Sequence, residues 1–377
     1  MKLIYLSPSG LFDDWARPVQ IMKMCEAFSK NGVEVELVVP KRKNKKEEEN
    51  PFVYLNVSET FKIKSLPIID LSYGNPSKFY FVLRWVSFLM VSKMYLLFKK
   101  YDALYTREPY YQLFFRNIYL ESHKLPQRIN SIYKFIFKNL KGIIVLTSAM
   151  KSKIISLGVS PDRILVSHDA VRVEDFLNTI SKSESRKKFN FPDKKIYGYV
   201  GTLKTFNMEK GVSDAISALE FLKEEYILCV VGGDPVDVDF YKEMVKNKGL
   251  DNRVIFTGRV LQKNIPEYIS ACDVVVAPFP KNEHYEYYMS PLKIFEYMAS
   301  KRPMVVTNLV SLREVLRDKE TALFIEPNNP KQLASAVEEL VNNPDLAEKI
   351  SQNAYLDMEQ NYTWNKRAEN IIEFIKK

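Results

Sequence analysis

The segment Ser290–Glu296, which reads SPLKIFE, places a hydroxyl, a proline, a cation and a carboxylate at the start of an apolar stretch. Serine favours the N-cap of a helix and proline its first position, so the pattern predicts a helix capped by Ser290 and beginning at Pro291. Lys293 then falls at the third helical position, where a cation is disfavoured by about 0.3–1 kcal/mol because backbone N–H groups already point outward. A bound anion would offset that cost.

Glu296 follows Lys293 by one helical turn and lies on roughly the same face of the predicted helix. A carboxylate one turn from a phosphate-binding helix end is placed to accept hydrogen bonds from the paired hydroxyls of a ribose. The spacing therefore fits a phosphate beside a ribose, although a surface Lys–Glu pair has the same spacing.

A second candidate anion site is the loop Gly201–Gly211, GTLKTFNMEKG, which follows a predicted strand. Its first glycine permits a tight turn, and Lys204 and Lys210 precede the next helix. Loop amides, lysines and a helix N-terminus together form an anion site, although an exposed loop with two solvated lysines fits equally well. Three further segments follow predicted strands and are each compatible with a simple turn: Gly232–Pro235, Gly258–Val260 and Pro278–Pro280.

Short β-branched runs alternate with helical patterns along the chain, which is typical of parallel sheets covered by helices on both faces. Strands are predicted at Lys2–Ser7, Glu34–Val39, Ala103–Thr106, Ile118–Glu121, Gly142–Leu146, Ile164–Ser167, Ile196–Val200, Ile227–Val231, Val254–Thr257, Val274–Ala277, Met304–Thr307 and Ala322–Ile325. Helices are predicted at Pro18–Lys30, Phe79–Lys100, Gln127–Lys138, Ala149–Leu157, Met208–Leu222, Phe240–Lys248, Ile265–Ala271, Pro291–Ala299, Leu312–Leu316, Lys331–Val341 and Asp345–Gln360.

This alternation predicts two Rossmann-like α/β units whose strand ends gather around one cleft. The charged sequence within Val173–Lys195 indicates a linker or short exposed segment between them, and Lys41–Asn50, KRKNKKEEEN, indicates a solvated loop. We expect domains at residues 1–175 and 176–360, and a C-terminal helix at 361–377. Its apolar positions have helical spacing and require a packing surface, which we expect on the first domain.

The composition is that of an ordinary globular protein: 377 residues, of which 46% are hydrophobic and 27% charged. The net charge of +9 lies in the first half, since residues 1–175 hold 27 Lys and Arg against 17 Asp and Glu. This asymmetry indicates either simple solubility or an anionic partner, such as phospholipid headgroups or a phosphorylated acceptor.

No nucleic-acid-binding pattern is evident. Three dispersed cysteines are typical of buried thiols, and the short apolar start does not resemble a signal peptide.

The stretch Phe79–Phe98, FYFVLRWVSFLMVSKMYLLF, is long enough to span a bilayer. Arg84 and Lys93 interrupt it, and the longest run without a charge is Trp85–Ser92. The pattern therefore favours a core helix of the first domain over a helix that lies on a membrane surface.

The sequence SPLKIFEYMASKRPMVVTNLVSLREVL, preceded by YVGTLKTFNMEKGV and followed by ALFIEPNNPKQLASAVEEL, resembles the retaining glycosyltransferases of family 4, which have the GT-B fold of two facing Rossmann-like domains. The resemblance covers nearly the whole chain. Three segments of the first half are also similar to family segments: SKNGVEVELVVP, LESHKLP and VSHDAVRVEDF. The second half is the more specific match.

The resemblance implies roles for residues of the second half. Glu296 corresponds to the second glutamate of the family's Glu-x7-Glu motif and would hold the ribose. The amides near Pro291 and Leu292 would hold the diphosphate, which Lys210 would neutralise as it leaves, and the backbone around Arg259 and Val260 would meet the base. The nucleotide and diphosphate site would comprise Gly201, Thr202, Lys204, Lys210, Arg259, Val260, Ser290, Pro291, Leu292, Lys293 and Glu296.

In the first half, His123 corresponds to the family histidine near the reacting sugar and acceptor. Gly10 and Arg107 would lie on the same acceptor side. The catalytic set implied is thus His123, Lys210 and Glu296. No nucleophilic carboxylate, metal or cofactor is implied, and the nucleotide sugar is a substrate.

Three positions depart from the family pattern. Tyr288 stands where the first glutamate of Glu-x7-Glu is expected, and Glu283 or Glu286 is a candidate replacement at the donor sugar. Thr202 replaces a frequent arginine, whose charge Lys204 can supply. The N-terminal glycine-rich loop retains Gly10 alone.

The expected reaction is hexosyl transfer from a UDP- or GDP-linked sugar to a hydroxyl of a glycan or lipid-linked acceptor, in polysaccharide or glycoconjugate synthesis. We expect a cytoplasmic protein that is peripheral on the inner membrane face through its basic half, with no nucleic-acid partner. The alternatives are a nucleotide-sugar 2-epimerase of similar build and a non-catalytic GT-B partner of another transferase, which the missing glutamate would favour.

Overall fold

The computed structural model describes residues 1–12, 16–42, 50–70, 77–126, 128–205 and 207–377. The chain forms two compact units, residues 1–168 with 364–377, and residues 169–363. These divisions differ by a few residues from the expected ones after Asp175 and Gln360. Seven of the ten residues predicted as a solvated loop, 43–49, lie outside the described residues.

The first unit contains a seven-stranded parallel sheet in the order β3-β2-β1-β4-β5-β6-β7. Its strands are β1 Lys2–Leu6, β2 Glu34–Lys41, β3 Lys62–Pro67, β4 Ala103–Thr106, β5 Ile118–Ser122, β6 Gly142–Val145 and β7 Ile164–Val166. Its helices are α1 Ala16–Lys30, α2 Pro51–Tyr54, α3 Lys78–Leu97, α4 Ser131–Asn139, α5 Ser148–Ile155 and the C-terminal α14 Trp364–Lys376. The inner strands are buried, as expected for strands covered on both faces.

Strand β3 is absent from the sequence prediction. Its sequence KIKSLP buries Leu66 and exposes most of the rest, because the strand lies at the edge of the sheet. It therefore lacks the continuous apolar run that marks the inner strands.

The second unit contains a six-stranded parallel sheet in the order β12-β11-β8-β13-β14-β15, with a two-stranded antiparallel ribbon of β9 and β10. The strands are β8 Lys195–Val200, β9 Lys204–Thr205, β10 Met208–Glu209, β11 Tyr226–Val231, β12 Val254–Gly258, β13 Val274–Ala277, β14 Met304–Thr307 and β15 Leu323–Ile325. The helices are α6 Lys182–Lys188, α7 Val212–Ala218, α8 Pro235–Asn247, α9 Ile265–Ala271, α10 Leu292–Ala299, α11 Val310–Arg313, α12 Pro330–Asn342 and α13 Pro344–Asn361.

Several predicted elements of this unit differ from the structure, since α8 begins at Pro235 instead of Phe240 and α11 spans Val310–Arg313 instead of Leu312–Leu316. The helix predicted from Met208 begins at Val212, because Met208 and Glu209 form β10 and Gly211 adopts φ +85° before α7. A Cβ at Gly211 would also lie 1.7 Å from the Pro278 carbonyl oxygen. The predicted linker contains α6, which Ser181 and Glu184 start with a reciprocal capping box.

In both sheets the strand order reverses beside the first strand, between β1 and β4 and between β8 and β13. Ligands of doubly wound sheets bind beyond the carboxyl ends of the strands at this switch point. In the second unit the loops that leave the switch point are Gly201–Gly211 after β8 and the segment from Pro278 to α10 after β13. Both were selected from the sequence for their chemistry.

Candidate functional site

The loops after β8 and β13 meet at Gly201 and Lys293. Gly201 adopts φ +127°, a conformation that favours glycine, and a Cβ there would lie 3.2 Å from Lys293 Cε. The predicted diphosphate residues Gly201 and Lys293 therefore lie side by side at the switch point.

The Lys293 side chain is 6% exposed, and its Nζ has no hydrogen-bond partner among the described residues. The ammonium lies 3.5 Å from the centroid of the Tyr199 ring and 5.4 Å from that of Phe279. Burial lowers the pKa of Lys293 well below its ordinary value, the charge of Lys210 lowers it further, and Glu296 opposes the shift. The sequence placed this cation at the helix start but did not indicate its burial.

The start of α10 differs from the prediction. Pro291 occupies the N-cap position and the helix begins at Leu292, so Lys293 is its second residue. Ser290 does not cap the helix, since its Oγ accepts a hydrogen bond from the Asp169 backbone N–H at 2.8 Å. The α10 N-terminus therefore has no side-chain cap.

Lys210 and Thr202 close the loop after β8. The Lys210 ammonium donates to Thr202 Oγ1 at 2.6 Å, and burial lowers the pKa of Lys210 to about 8. The adjacent carboxylate of Glu209 instead accepts hydrogen bonds from the hydroxyls of Ser213 and Tyr241. Two amines of lowered pKa thus lie near the carboxyl end of β8.

A π-helical turn, His284–Tyr288, lies between β13 and α10 and was not predicted. The Tyr285 hydroxyl donates to the Met208 carbonyl oxygen at 3.2 Å, which joins the turn to the ribbon beside Lys210. Burial lowers the pKa of His284 and the charge of Lys210 adds to the effect. His284 is a further candidate for the site, and no local motif marks it in the sequence.

The two candidate replacements for the missing glutamate differ in environment. Glu283 is exposed and accepts a hydrogen bond from the Tyr288 hydroxyl at 3.2 Å. Glu286 is 7% exposed, and its Oε2 has no hydrogen-bond partner among the described residues. A buried acceptor without a partner costs about 1–3 kcal/mol, so a ligand hydroxyl that donates to Glu286 would recover that cost.

Glu296 lies near the segment after β12. Its Oε1 accepts a hydrogen bond from Gln262 Nε2 at 3.2 Å, and Gln262 is a second residue that the sequence analysis missed. Arg259 contacts Asp234 through Nε at 2.6 Å, and Val260 is half-buried against the core. The Gln262–Glu296 hydrogen bond thus links helix α10, predicted to meet the ribose, with the segment after β12, predicted to meet the base.

The Lys204 ammonium contacts helix α8. It forms an ion pair with Asp237 at 2.8 Å and lies 5.1 Å from the centroid of the Phe240 ring. Its charge is therefore partly offset on the α8 side of the ribbon.

In the first unit, Glu121 at the end of β5 is fully buried and holds His123 and Arg107. Its Oε1 lies 2.6 Å from His123 Nε2 and accepts from Arg107 at 2.9 Å and from Arg367 of α14 at 2.9 Å. Burial would raise the pKa of Glu121, but the charges of Arg107 and Arg367 and the His123 hydrogen bond outweigh it and hold the pKa well below its ordinary range.

The acceptor-side residues thus have different exposures. His123 retains 24% of its side-chain exposure, Arg107 is buried in the Glu121 cluster, and Gly10 is buried in the loop after β1. Among the residues that the structure describes, no group of His, Cys, Asp and Glu is arranged to hold a metal ion.

The fold is GT-B. The structure superimposes on that of the Anabaena protein HepE in complex with UDP-glucose with a TM-score of 0.76, over 100% of this chain and 99% of that chain. The sequence identity is 15%, so this likeness is one of fold. It confirms the expected fold class.

Residues 181–357, most of the second unit, match the family model described as glycosyl transferases group 1. The chain is 24% identical over 243 residues to an uncharacterized glycosyltransferase of Methanocaldococcus jannaschii, covering 62% of this chain and 59% of that protein. It is 31% identical over 176 residues to the alpha-D-kanosaminyltransferase of Streptomyces kanamyceticus, covering 46% and 43%. The matched segments therefore span less than two thirds of these relatives' own lengths.

Proposed function

We propose that the chain is a retaining glycosyltransferase that moves a sugar from a UDP- or GDP-linked donor to a hydroxyl of a glycan or lipid-linked acceptor. The observation that carries the proposal is the buried Lys293 amine at the switch point of the second sheet, without a hydrogen-bond partner in the described part of the chain. A donor diphosphate supplies the anionic oxygens that this amine lacks. The glycosyltransferase family match of the second unit and the UDP-glucose held by the GT-B protein HepE support this choice of ligand.

The site fits the charge that develops during transfer. As the bond between sugar and diphosphate breaks, negative charge grows on the leaving diphosphate, and cations and aligned amides at its oxygens stabilise the transition state. Lys293, Lys210 and the amides at the α10 N-terminus are the groups that this proposal assigns to the role. Glu296 would accept the ribose hydroxyls, and Gln262 holds its carboxylate in place.

Glu286 is our choice for the contact to the donor sugar. Its unpartnered Oε2 is matched to a sugar hydroxyl, whereas Glu283 already accepts from Tyr288. The acceptor would bind the first unit beside His123, whose ring Glu121 orients. Retention of configuration rests on the family resemblance.

Nucleotide release tests this proposal. Purified protein is incubated with a panel of UDP- and GDP-sugars, with and without a mixture of glycan and lipid-linked hydroxyl acceptors. The proposal predicts nucleotide release that an acceptor stimulates, and an α-linked product from an α-linked donor. Release or epimerisation that is independent of acceptor would indicate the epimerase instead. Nucleotide binding without turnover of any donor would indicate a binding protein.

A further inference from the structure

Helix α3 presents an apolar stripe to solvent along its whole length. Six of its exposed apolar residues recur at helical spacing, namely Phe79, Val82, Val86, Met90, Met94 and Leu97, and Phe81 and the following Phe98 are exposed beside them. Met90, Met94 and Leu97 are 63%, 65% and 71% exposed. From Phe79 to Leu97 the stripe is about 27 Å long, which is unusual on a surface that only water contacts.

The opposite face of α3 packs into the first unit. Phe88, Leu89, Ser92 and Leu96 are buried, and the helix contacts β3. Within the described residues, Phe79–Leu97 is long and apolar enough to cross a membrane by length and composition alone, and 22% of its most apolar window is buried. The helix is therefore not the fully buried core helix that the sequence favoured. One of its faces packs against the rest of the first unit, and the other is exposed. These contacts suit a helix that lies in a membrane surface.

The apolar surface continues onto α4. Trp85 of α3 lies 6.5 Å from Phe114, ring centroid to centroid. The adjoining 3₁₀ turn Pro109–Leu113 packs against α4, where the hydroxyls of Tyr110 and Tyr133 are 2.8 Å apart. Helix α4 itself exposes two large apolar side chains, Ile132 and Phe135.

Cations accompany both parts of this surface. Residues 60–100 hold seven Lys and Arg against one acidic residue, and residues 128–141 hold four Lys and Arg and no acidic residue. The exposed lysines among them are Lys62, Lys64, Lys93, Lys100, Lys134, Lys138 and Lys141. Lys62 and Lys64 belong to β3, the strand that α3 contacts, and Lys93 borders the stripe on α3 itself.

We propose that the exposed faces of α3 and α4 dock on the surface of a bilayer that contains anionic phospholipid, with the α3 stripe inserted at the headgroup boundary. Apolar side chains bordered by lysines match acyl chains beneath anionic headgroups. A second copy of the chain fits less well, because a two-fold interface would bring the same lysine-rich patch of each copy together. The surface lies entirely within the first unit.

Vesicle flotation with the full chain tests this surface. We expect binding to phosphatidylcholine vesicles that contain about 30% phosphatidylglycerol, little binding to pure phosphatidylcholine, and release as salt rises from about 0.1 to 0.5 M. The double variant Met90→Asp/Met94→Asp should weaken binding at least tenfold. Leu356→Asp, on the exposed side of α13 in the second unit, is the matched control and should bind normally.

A label on α3 provides a second readout that does not depend on how the double variant folds. The three native cysteines are buried, so an environment-sensitive fluorophore attached to Met94→Cys reports on one site. Its emission should shift to the blue on anionic vesicles, and the same label on Leu356→Cys should not respond. Binding that ignores lipid charge and salt, no binding at all, or a dimer that Met90→Asp/Met94→Asp dissociates would overturn the proposal. No donor or acceptor is needed, so the result is independent of the transferase activity.

Discussion

The Lys293 ammonium lies 3.5 Å from the centroid of the Tyr199 ring, and Gly201 covers its stem. Tyr199 is fully buried on β8, so the aromatic face is fixed by the sheet. The amine has no hydrogen-bond partner in the part of the chain that the structure describes. Its burial is therefore costly for the folded protein, and such a cost is expected where a ligand completes the site.

Replacement of Lys293 by methionine should separate stability from binding. Methionine has a similar length and no polar group, so the free energy of unfolding should rise by about 1 kcal/mol because a buried unpartnered amine is removed. Urea unfolding measures the change. A loss of stability above about 1 kcal/mol would mean that the amine has a stabilising partner in the free protein.

Nucleoside diphosphate binding should depend on pH through Lys210. Its pKa of about 8 in the free protein rises when an anion binds, since the anion favours the charged amine. Affinity should therefore be highest below pH 8 and decline as the pH rises above it, approaching tenfold per pH unit. Isothermal titration with UDP between about pH 7.5 and 9.5 measures this slope.

The same titration of Lys210→Met provides the comparison. This variant should bind more weakly at pH 7.5 and lose the slope that Lys210 contributes. A wild-type affinity that stays level over the range would exclude Lys210 from the diphosphate contact.

Glu286 should affect the sugar and not the nucleotide. Glu286→Gln should weaken binding of the UDP-sugar at least tenfold, about 1.4 kcal/mol, and leave the affinity for UDP within twofold. Glu283→Gln, a matched change on the exposed carboxylate, should have little effect on either ligand. Equal losses in the two variants, or a loss confined to Glu283→Gln, would reverse our assignment.

Arg367 should hold α14 on the first unit through Glu121. Arg367→Met leaves a buried carboxylate with one arginine fewer and should reduce the unfolding free energy by about 3–5 kcal/mol at pH 7. Lys366→Met, one residue away in an exposed pair with Glu369, should change it little.

The pH dependence distinguishes the Glu121 charge from the other Arg367 contacts. The folded-state pKa of Glu121 is lowered, so its contribution is fully present at neutral pH and is lost as the pH falls from the ordinary glutamate range through the lowered value. Arg367→Met should therefore lose less stability than the wild type over this acid range. Parallel acid unfolding curves for the two proteins would contradict the account.

The architecture was predictable because strands covered on both faces are continuous apolar runs. The runs at Ala103–Thr106, Val274–Ala277 and Met304–Thr307 give the observed bounds. Their alternation with helices predicts two Rossmann-like units, and the family resemblance implies that these form the GT-B fold. The polar edge strand β3 and the capped helix α6 were not predicted, because neither contains an apolar run.

The site was predictable only in part. Lys293, Lys210 and Glu296 were candidates from the sequence, since strand ends and a helix start mark them, and they remain predictions. The sequence analysis missed the burial of Lys293, because Tyr199 lies on β8 and Phe279 follows β13, and the two rings meet the lysine only in the folded unit. Gln262 and His284 lack any local signal, since Gln262 reaches Glu296 by a hydrogen bond distant in sequence and His284 is influenced by the charge of Lys210.

The most direct test of the central claim is calorimetric titration of wild-type protein, Lys293→Met and Lys242→Met with UDP and GDP at pH 7.5. Lys242 is an exposed lysine of α8 and serves as the matched control. We expect the wild type and Lys242→Met to bind at least one nucleotide with similar affinity, and Lys293→Met to bind it at least tenfold more weakly, about 1.4 kcal/mol. Equal binding by all three proteins, or no binding by the wild type, would contradict the central claim.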